Sequence, residues 1–207
     1  ANGHDVSWER RVLRIERDGV YSQLIFEDGS VEGGFDAVIV AVPAEQAVDL
    51  LEGVVPEMAM VAVSITSAPC WAVMLAYDTP TKITFDGAKV TSGPLAWVAR
   101  NSAKPGRKGG ETWVLHTSPD WSRANVERDK EDITDALVSA FLELTDASAP
   151  VFAAAHCWRY AQVEAPVGHV LWAPEAGIGA CGDWCLGGKV EAAWLSGKAL
   201  AEEILAG

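Results

Sequence analysis

The run "FDAVIVAVP", residues 35–43, constrains this chain more than any other stretch. After Asp36 it is continuously apolar, and Pro43 ends it. Such a strand suits burial on both faces, the environment of a parallel sheet rather than a half-solvated antiparallel one. A short helix, "AEQAVDLLEG", follows and closes at Gly53. Similar character returns only at residues 177–205, where "GIGACGD" leads into "WCLGGKVEAAWLSGKALAEEIL".

The intervening chain reads differently. "MVAVSITSAPCWAVMLAYD" holds two strand-like runs split by Ala68 and Pro69. "GPLAWVARNSAKPGR" and "ETWVLHTSPDW" are further strands around a Gly/Lys/Pro loop, the pattern of an antiparallel meander. In "SRANVERDKEDITDALVSAFLEL" the apolar positions Ile133, Leu137, Val138, Phe141 and Leu144 form a helical stripe. "VFAAAHCWRYAQV" is a long strand candidate. Ahead of residue 35, Val12, Leu13 and Ile15 lead into an "RDG" turn, "YSQLIF" alternates, and "EDGS" turns again, so this region also reads as β structure. The expected class is mixed, α+β with an α/β part. Residues 1–55 and 170–207 form a partial Rossmann-like domain, and an antiparallel-sheet domain is inserted at 56–169.

Charge narrows the partners. Sixteen Lys and Arg face 29 Asp and Glu, a formal net charge of −13. Nucleic acid or an anionic membrane surface would demand a concentrated basic patch. The densest candidate, Lys104, Arg107 and Lys108, lies in a Pro/Gly loop and reads as solvated. No apolar run reaches the ~20 residues that span a bilayer. Cys70, Cys157, Cys181 and Cys185 form neither a disulfide framework nor a zinc set, so no metal is expected, and a reducing cytoplasm fits them. The chain starts inside an apparent strand without an initiating Met, as a fragment or a processed chain would.

"GACGDWCLGGKVEAAWLSGKALAEEIL", residues 179–205, carries the chemistry. Gly182-Asp183 ends a strand, Gly187-Gly188 follows, and a helix begins near Lys189. The first helical N–H groups lack intrahelical partners and carry partial positive charge, which favours phosphate or the electron-rich edge of a cofactor ring. Asp183 offers a carboxylate to sugar-like hydroxyls. Small residues Ala192, Ala193, Ser196 and Gly197 let the helix lie close to a sheet or a ligand. A glycine-rich turn that merely caps a packed helix remains the competing reading.

This stretch strongly resembles the C-terminal flavin motif of the FAD-dependent amine oxidase superfamily, especially its renalase-like bacterial members. Gly182, Asp183, Gly187, Gly188, Val190, Glu191, Ala193, Ser196 and Gly197 match the pattern. "FDAVIVAVPAEQAVDLL", "APCWAVMLAYD" and "HTSPDWSRANVE" resemble further family segments in the same order. The resemblance implies FAD as cofactor, with Gly182, Asp183, Trp184, Gly187, Gly188, Lys189 and Val190 around it. It also implies that the inserted domain binds a small-molecule substrate. The family's opening βαβ unit with GxGxxG has no counterpart in the chain, so a dinucleotide-binding segment of the same protein is the expected partner.

Two polar residues are candidate catalytic groups. Asn101 follows the strand "LAWVAR" and His116 ends "TWVLH", and adjacent strand ends would bring them together. Both also suit plain structural roles. Trp97, Trp113, Trp121, Trp158, Trp172, Trp184 and Trp194 supply either an aromatic pocket or core packing, with Trp184 the one expected at the cofactor. Arg159 suits an anionic substrate group or a structural ion pair. Nothing beside the position of Cys185 suggests covalent flavin attachment. The expected activity is hydride removal from an amine or a dihydronicotinamide-type compound, with O2 as acceptor; the alternative is a non-catalytic binding module derived from the same fold.

Overall fold

The computed structural model describes residues 5–206. They form two compact units: one made of the described residues up to Thr66 with those from Val163 onward, the other Ser67–Gln162. The sequence reading set the divisions at 55/56 and 169/170; the structure sets them at 66/67 and 162/163.

In the first unit β1 (Val12–Asp18), β2 (Tyr21–Phe26) and β3 (Val31–Phe35) make an antiparallel meander. β4 (Val38–Val40) leads past Pro43 into α1 (Ala44–Leu51), which buries Ala44, Ala47 and Leu51 along one stripe. α2 (Pro56–Val63) takes in residues 60–63, the start of a run that reads as a strand. Pro56 and Glu57 in its first turn favour a helix start, and Met58, Ala59 and Ala62 pack into the core shared with α1. That packing overrides the β-branched run and carries α2 into this unit.

The second unit is a five-stranded antiparallel sheet in the order β6-β7-β8-β5-β9. Its strands are β5 (Ser67–Tyr77), β6 (Gly87–Lys89), β7 (Leu95–Arg100), β8 (Glu111–Thr117) and β9 (Phe152–Val163). Pro69 lies inside β5 but ahead of its ladder with β8, which starts at Ala72↔His116, so it interrupts none of those pairs. The single helix expected over 122–144 is broken into α3 (Pro119–Ala124) and α4 (Lys130–Thr145). At the break, Asn125 accepts from the Trp71 indole N–H at 3.0 Å and from Arg128 N–H at 3.2 Å. Ile133, Leu137 and Phe141 of the expected stripe are fully buried against Trp71, Val73, Leu75, Trp113 and Leu115, so α4 covers one face of the sheet.

The chain then returns to the first unit through β10 (Leu171–Ala173), β11 (Ile178–Ala180), α5 (Asp183–Leu186) and α6 (Val190–Ala206). β11 pairs antiparallel with β10 and parallel with β4, through Ile178↔Val38, Gly179↔Ile39 and Ala180↔Val40. Parallel pairing is therefore present at residues 35–43, but the strand is three residues long and one-sided. Ile39 is 41% exposed, so one face of β4 is left uncovered, and β4 is also the edge of its sheet.

Two glycines permit this pairing. At Gly177 (φ +64°) a Cβ would sit 2.4 Å from the Asp36 carbonyl oxygen, and at Gly179 it would press on Ile39 and Leu200 at 3.0 Å. Gly197, in α6, has open space where its Cβ would go. Gly177→Ala is expected to cost about 2 kcal/mol or more through strain and collision. Gly197→Ala is expected to stabilise by about 0.5–1 kcal/mol through helix propensity. Urea midpoints of the two variants check both signs.

Candidate functional site

The turn between β11 and α6 is fastened from the inside. Cys181 N–H donates to the Val40 carbonyl at 3.0 Å, and Gly182 N–H donates to Ser196 Oγ at 2.9 Å. The buried Ser196 hydroxyl in turn donates to the Ala193 carbonyl at 2.7 Å. Trp184 is fully buried, and its indole N–H donates to the Val42 carbonyl at 3.0 Å. Its ring fits because residue 182 is glycine: a Cβ there would lie 2.8 Å from the indole. Val167 and Gly168 N–H groups bind the Trp184 and Cys185 carbonyls at 2.9 and 2.7 Å.

The outside of the turn is free. Gly188, Lys189 and Val190 are exposed, Val190 to 90%. Gly187 adopts φ +148°, ψ +147°, a region that side chains disfavour, and its N–H closes on the Asp183 carbonyl at 2.7 Å. Ala193 N–H reaches the Lys189 carbonyl at 3.0 Å, so the N–H groups of Val190, Glu191 and Ala192 precede the first intrahelical bond. Asp183 is half-buried at the start of α5. Small residues, unshared N–H donors at a helix head and a flanking carboxylate fit the edge of a flavin and its hydroxylated chain.

Trp184 departs from the expected set. Its ring has no surface for a ligand to touch, and its role here is to tie α5 to the end of β4. Cys185 is buried too. Burial, then the neighbouring Cys181 and Asp183, push its thiol up to about 12, so it presents no thiolate for covalent attachment.

In the second unit the face of the sheet away from α4 is partly exposed, at Trp97 and Met74, and buried at Ala72. The register places Lys89, Trp97, His116 and Ala72 in one row across four strands, and Gly87, Ala99, Val114 and Met74 in the next. His116 is half-buried. Burial, and secondly the charge of Lys104, hold its pKa below the ordinary 6.5, which keeps the imidazole neutral at neutral pH. Its neighbour Thr117 accepts from Trp71 N–H at 3.1 Å and shares a hydrogen bond with Ser122 Oγ, which pins the end of β8.

Asn101 is not brought to His116 by the strand ends. His116 pairs with Trp97, whereas Asn101 opens a 3-10 turn four residues later, roughly 13 Å along the strand. The C-terminal ends of two antiparallel neighbours lie at opposite ends of their ladder, which is why the expected meeting fails. Arg159 makes a two-pronged ion pair with Glu127, at 2.7 and 3.1 Å. Trp113, like Trp184, is fully buried in a core. Trp97, by contrast, is 39% exposed in the His116 row. Lys89 and Gly87 were not singled out in the sequence, since only the register reveals them as neighbours of Trp97. Among the described residues no group of three His, Cys, Asp or Glu side chains is placed to hold a metal, and no helix is long and apolar enough to cross a membrane.

Residues 1–205 match the family model of flavin containing amine oxidoreductases. The chain belongs to that family. FAD is the cofactor this membership implies, and the residues of the turn fit it. Solved structures with the same fold include one named for protoporphyrinogen oxidase from Exiguobacterium sp. 255-15, with TM-score 0.73 and 19% identity over 95% of this chain. Wild-type putrescine oxidase bound to putrescine matches 99% of it, with TM-score 0.70 and 17% identity. An oxidoreductase from Methanosarcina mazei matches 93%, with TM-score 0.59 and 16% identity. The chain spans about half of each: 46%, 50% and 49% of their lengths.

The depressed pKa of His116 has a definite sign. The unfolded state takes up a proton at the ordinary 6.5 while the folded state resists, so folding stability falls as pH drops from 6.5 toward the lower folded value. The loss is expected to be smaller in His116→Gln. A proton-NMR titration of the His116 ring should give a midpoint below 6.5.

Proposed function

We propose that this chain contributes the flavin edge and the substrate surface of an FAD-dependent oxidoreductase. Gly182, Asp183 and the Gly187–Val190 turn belong to its FAD-binding domain, and the unit Ser67–Gln162 receives the substrate. The observation that carries this reading is the turn at the head of α6, fastened inside by Ser196 and Trp184 and free outside. In this reading FAD is completed by a dinucleotide-binding segment of the same protein. In support, β4 is an edge strand beside a concavity of about 420 Å³ whose apolar lining, with Leu13, Ile15, Leu24, Val38 and Ile39, is flanked by Arg10, Arg11, Gln46 and Asp49. An apolar seat of this kind favours an oxidoreductase part over a free-standing, non-catalytic module.

The reaction is removal of hydride from the carbon beside an amine nitrogen, or from a dihydronicotinamide-type ring, as in the renalase-like members that the sequence resembles. FAD, when bound, accepts the hydride, and O2 takes up the two electrons as hydrogen peroxide. The protein's own residues orient and exclude water. Asp183 accepts hydrogen bonds from the hydroxylated chain of the cofactor. Neutral His116 offers one N–H and one lone pair to the substrate, with Trp97 beside it, and Asn101 supplies a polar anchor further along the face. A cytoplasmic setting suits the four free cysteines.

The test is a split between binding and turnover in the FAD-loaded protein. Asp183→Ala and Val190→Glu are expected to weaken FAD binding about tenfold, roughly 1.4 kcal/mol. His116→Gln is expected to leave FAD affinity unchanged and to lower kcat by about a hundredfold. Unaltered FAD affinity in both turn variants would refute the assignment of the turn.

A further inference from the structure

We infer that the open face of the five-stranded sheet accepts a planar aromatic molecule bearing an anionic group, rather than an aliphatic polyamine. This rests on the reading of that face as the substrate surface, and it narrows the substrate class.

Next to Trp97 the floor is low, with Gly87 and Ala99 in the adjoining row, and Val114 and Met74 continue that row away from the indole. A Cβ at Gly87 would come within 3.1 Å of Cζ2 and 3.2 Å of Cη2 of Trp97, so the indole lies over β6 at this glycine. Trp97 keeps 39% of its surface exposed. An indole seated on backbone with an exposed side is a stacking platform for another planar ring.

The charged side chains on and over this platform are cationic, and Asp86, which precedes Gly87, is engaged by Arg100 at 3.4 Å. Lys89 stands directly opposite Trp97, in the row that continues to His116. The loop "NSAKPGRKGG", residues 101–110, joins β7 to β8 and carries Lys104, Arg107 and Lys108 with no acidic residue. The Lys104 charge is felt at His116, so this loop lies within electrostatic reach of the face. The paired residues of the three rows, ending with Thr112 and Ala76, include no carboxylate. In a chain with net charge −13 such a concentration of cations is not background. A polyamine would meet repulsion and no counter-charge there. An aromatic carboxylate or phosphate would stack on Trp97 with its charge toward Lys89 and Lys104.

Isothermal titration of the chain together with the proposed dinucleotide-binding segment, after incubation with FAD, tests this with four probes: benzoate, phenyl phosphate, benzylamine and putrescine. Benzoate and phenyl phosphate are expected to bind at least about tenfold more tightly than benzylamine, with putrescine weakest. The order between the two anions tells which anionic group the face prefers. In the double variant Lys89→Glu/Lys104→Glu the preference should invert toward benzylamine, and Gly87→Val, which displaces the indole, should weaken benzoate and benzylamine alike. Tighter binding of either amine to the unaltered protein, or an anion preference unmoved by the charge reversal, would overturn the inference. The flavin absorbance of the same samples separates the two readings. A yellow protein that prefers amines overturns this inference alone. A protein that holds no FAD yet keeps the anion preference overturns the oxidoreductase reading and supports the face as an aromatic-anion site.

Discussion

The parallel pairing of β4 with β11 joins Val38 to Ile178 across the whole second unit, and the site at the head of α6 depends on it. The ladder is three residue pairs long, bracketed by Val38 N–H to the Gly177 carbonyl and Cys181 N–H to the Val40 carbonyl. Two glycines let the strands and α6 approach so closely. Once the pairing forms, Trp184 can reach the Val42 carbonyl and Ser196 can reach Gly182 N–H. The turn from Gly187 to Val190 is then held by bonds on one side only. Its openness is a consequence of core packing beneath it, which is how a rigid scaffold presents backbone donors to a ligand.

Much of this was legible from residue patterns. The α4 stripe of Ile133, Leu137 and Phe141 follows the helical period, and the structure buries all three. The apolar run at 35–43 correctly announced a parallel neighbour, because alternation is lost when a strand has helices or other strands on both sides. It overstated the burial, since Ile39 stands exposed on one face of the strand. The run "MVAVSI" misled because β-branched residues dominate it, whereas Pro56 and the partnership with α1 decide for a helix. The break between α3 and α4 was hidden for a related reason: the carbonyl of Asn125 is claimed by Trp71, a partner distant in sequence.

The site was legible in part. Glycine spacing located the turn, but no local signal told whether Trp184 faced ligand or core. Its inward course is fixed by the bond to the Val42 carbonyl, a partner distant in sequence, and is permitted by the missing Cβ at Gly182. His116 stood out as a polar residue in an apolar strand. Its distance from Asn101 was not readable, because it depends on the antiparallel register of β7 and β8. The same register reveals Lys89 and Gly87 beside Trp97, neighbours that no local sequence signal announces.

The central claim is that the turn at the head of α6 is a flavin-binding edge. The most direct measurement is the visible absorbance of two purified proteins after incubation with FAD and removal of the excess. One is this chain, and the other is this chain together with the proposed dinucleotide-binding segment. The longer protein is expected to stay yellow, with a flavin band shifted and structured relative to free FAD, and Val190→Glu is expected to bleach it. Two colourless proteins, or a yellow one indifferent to substitutions at Asp183 and Val190, would contradict it.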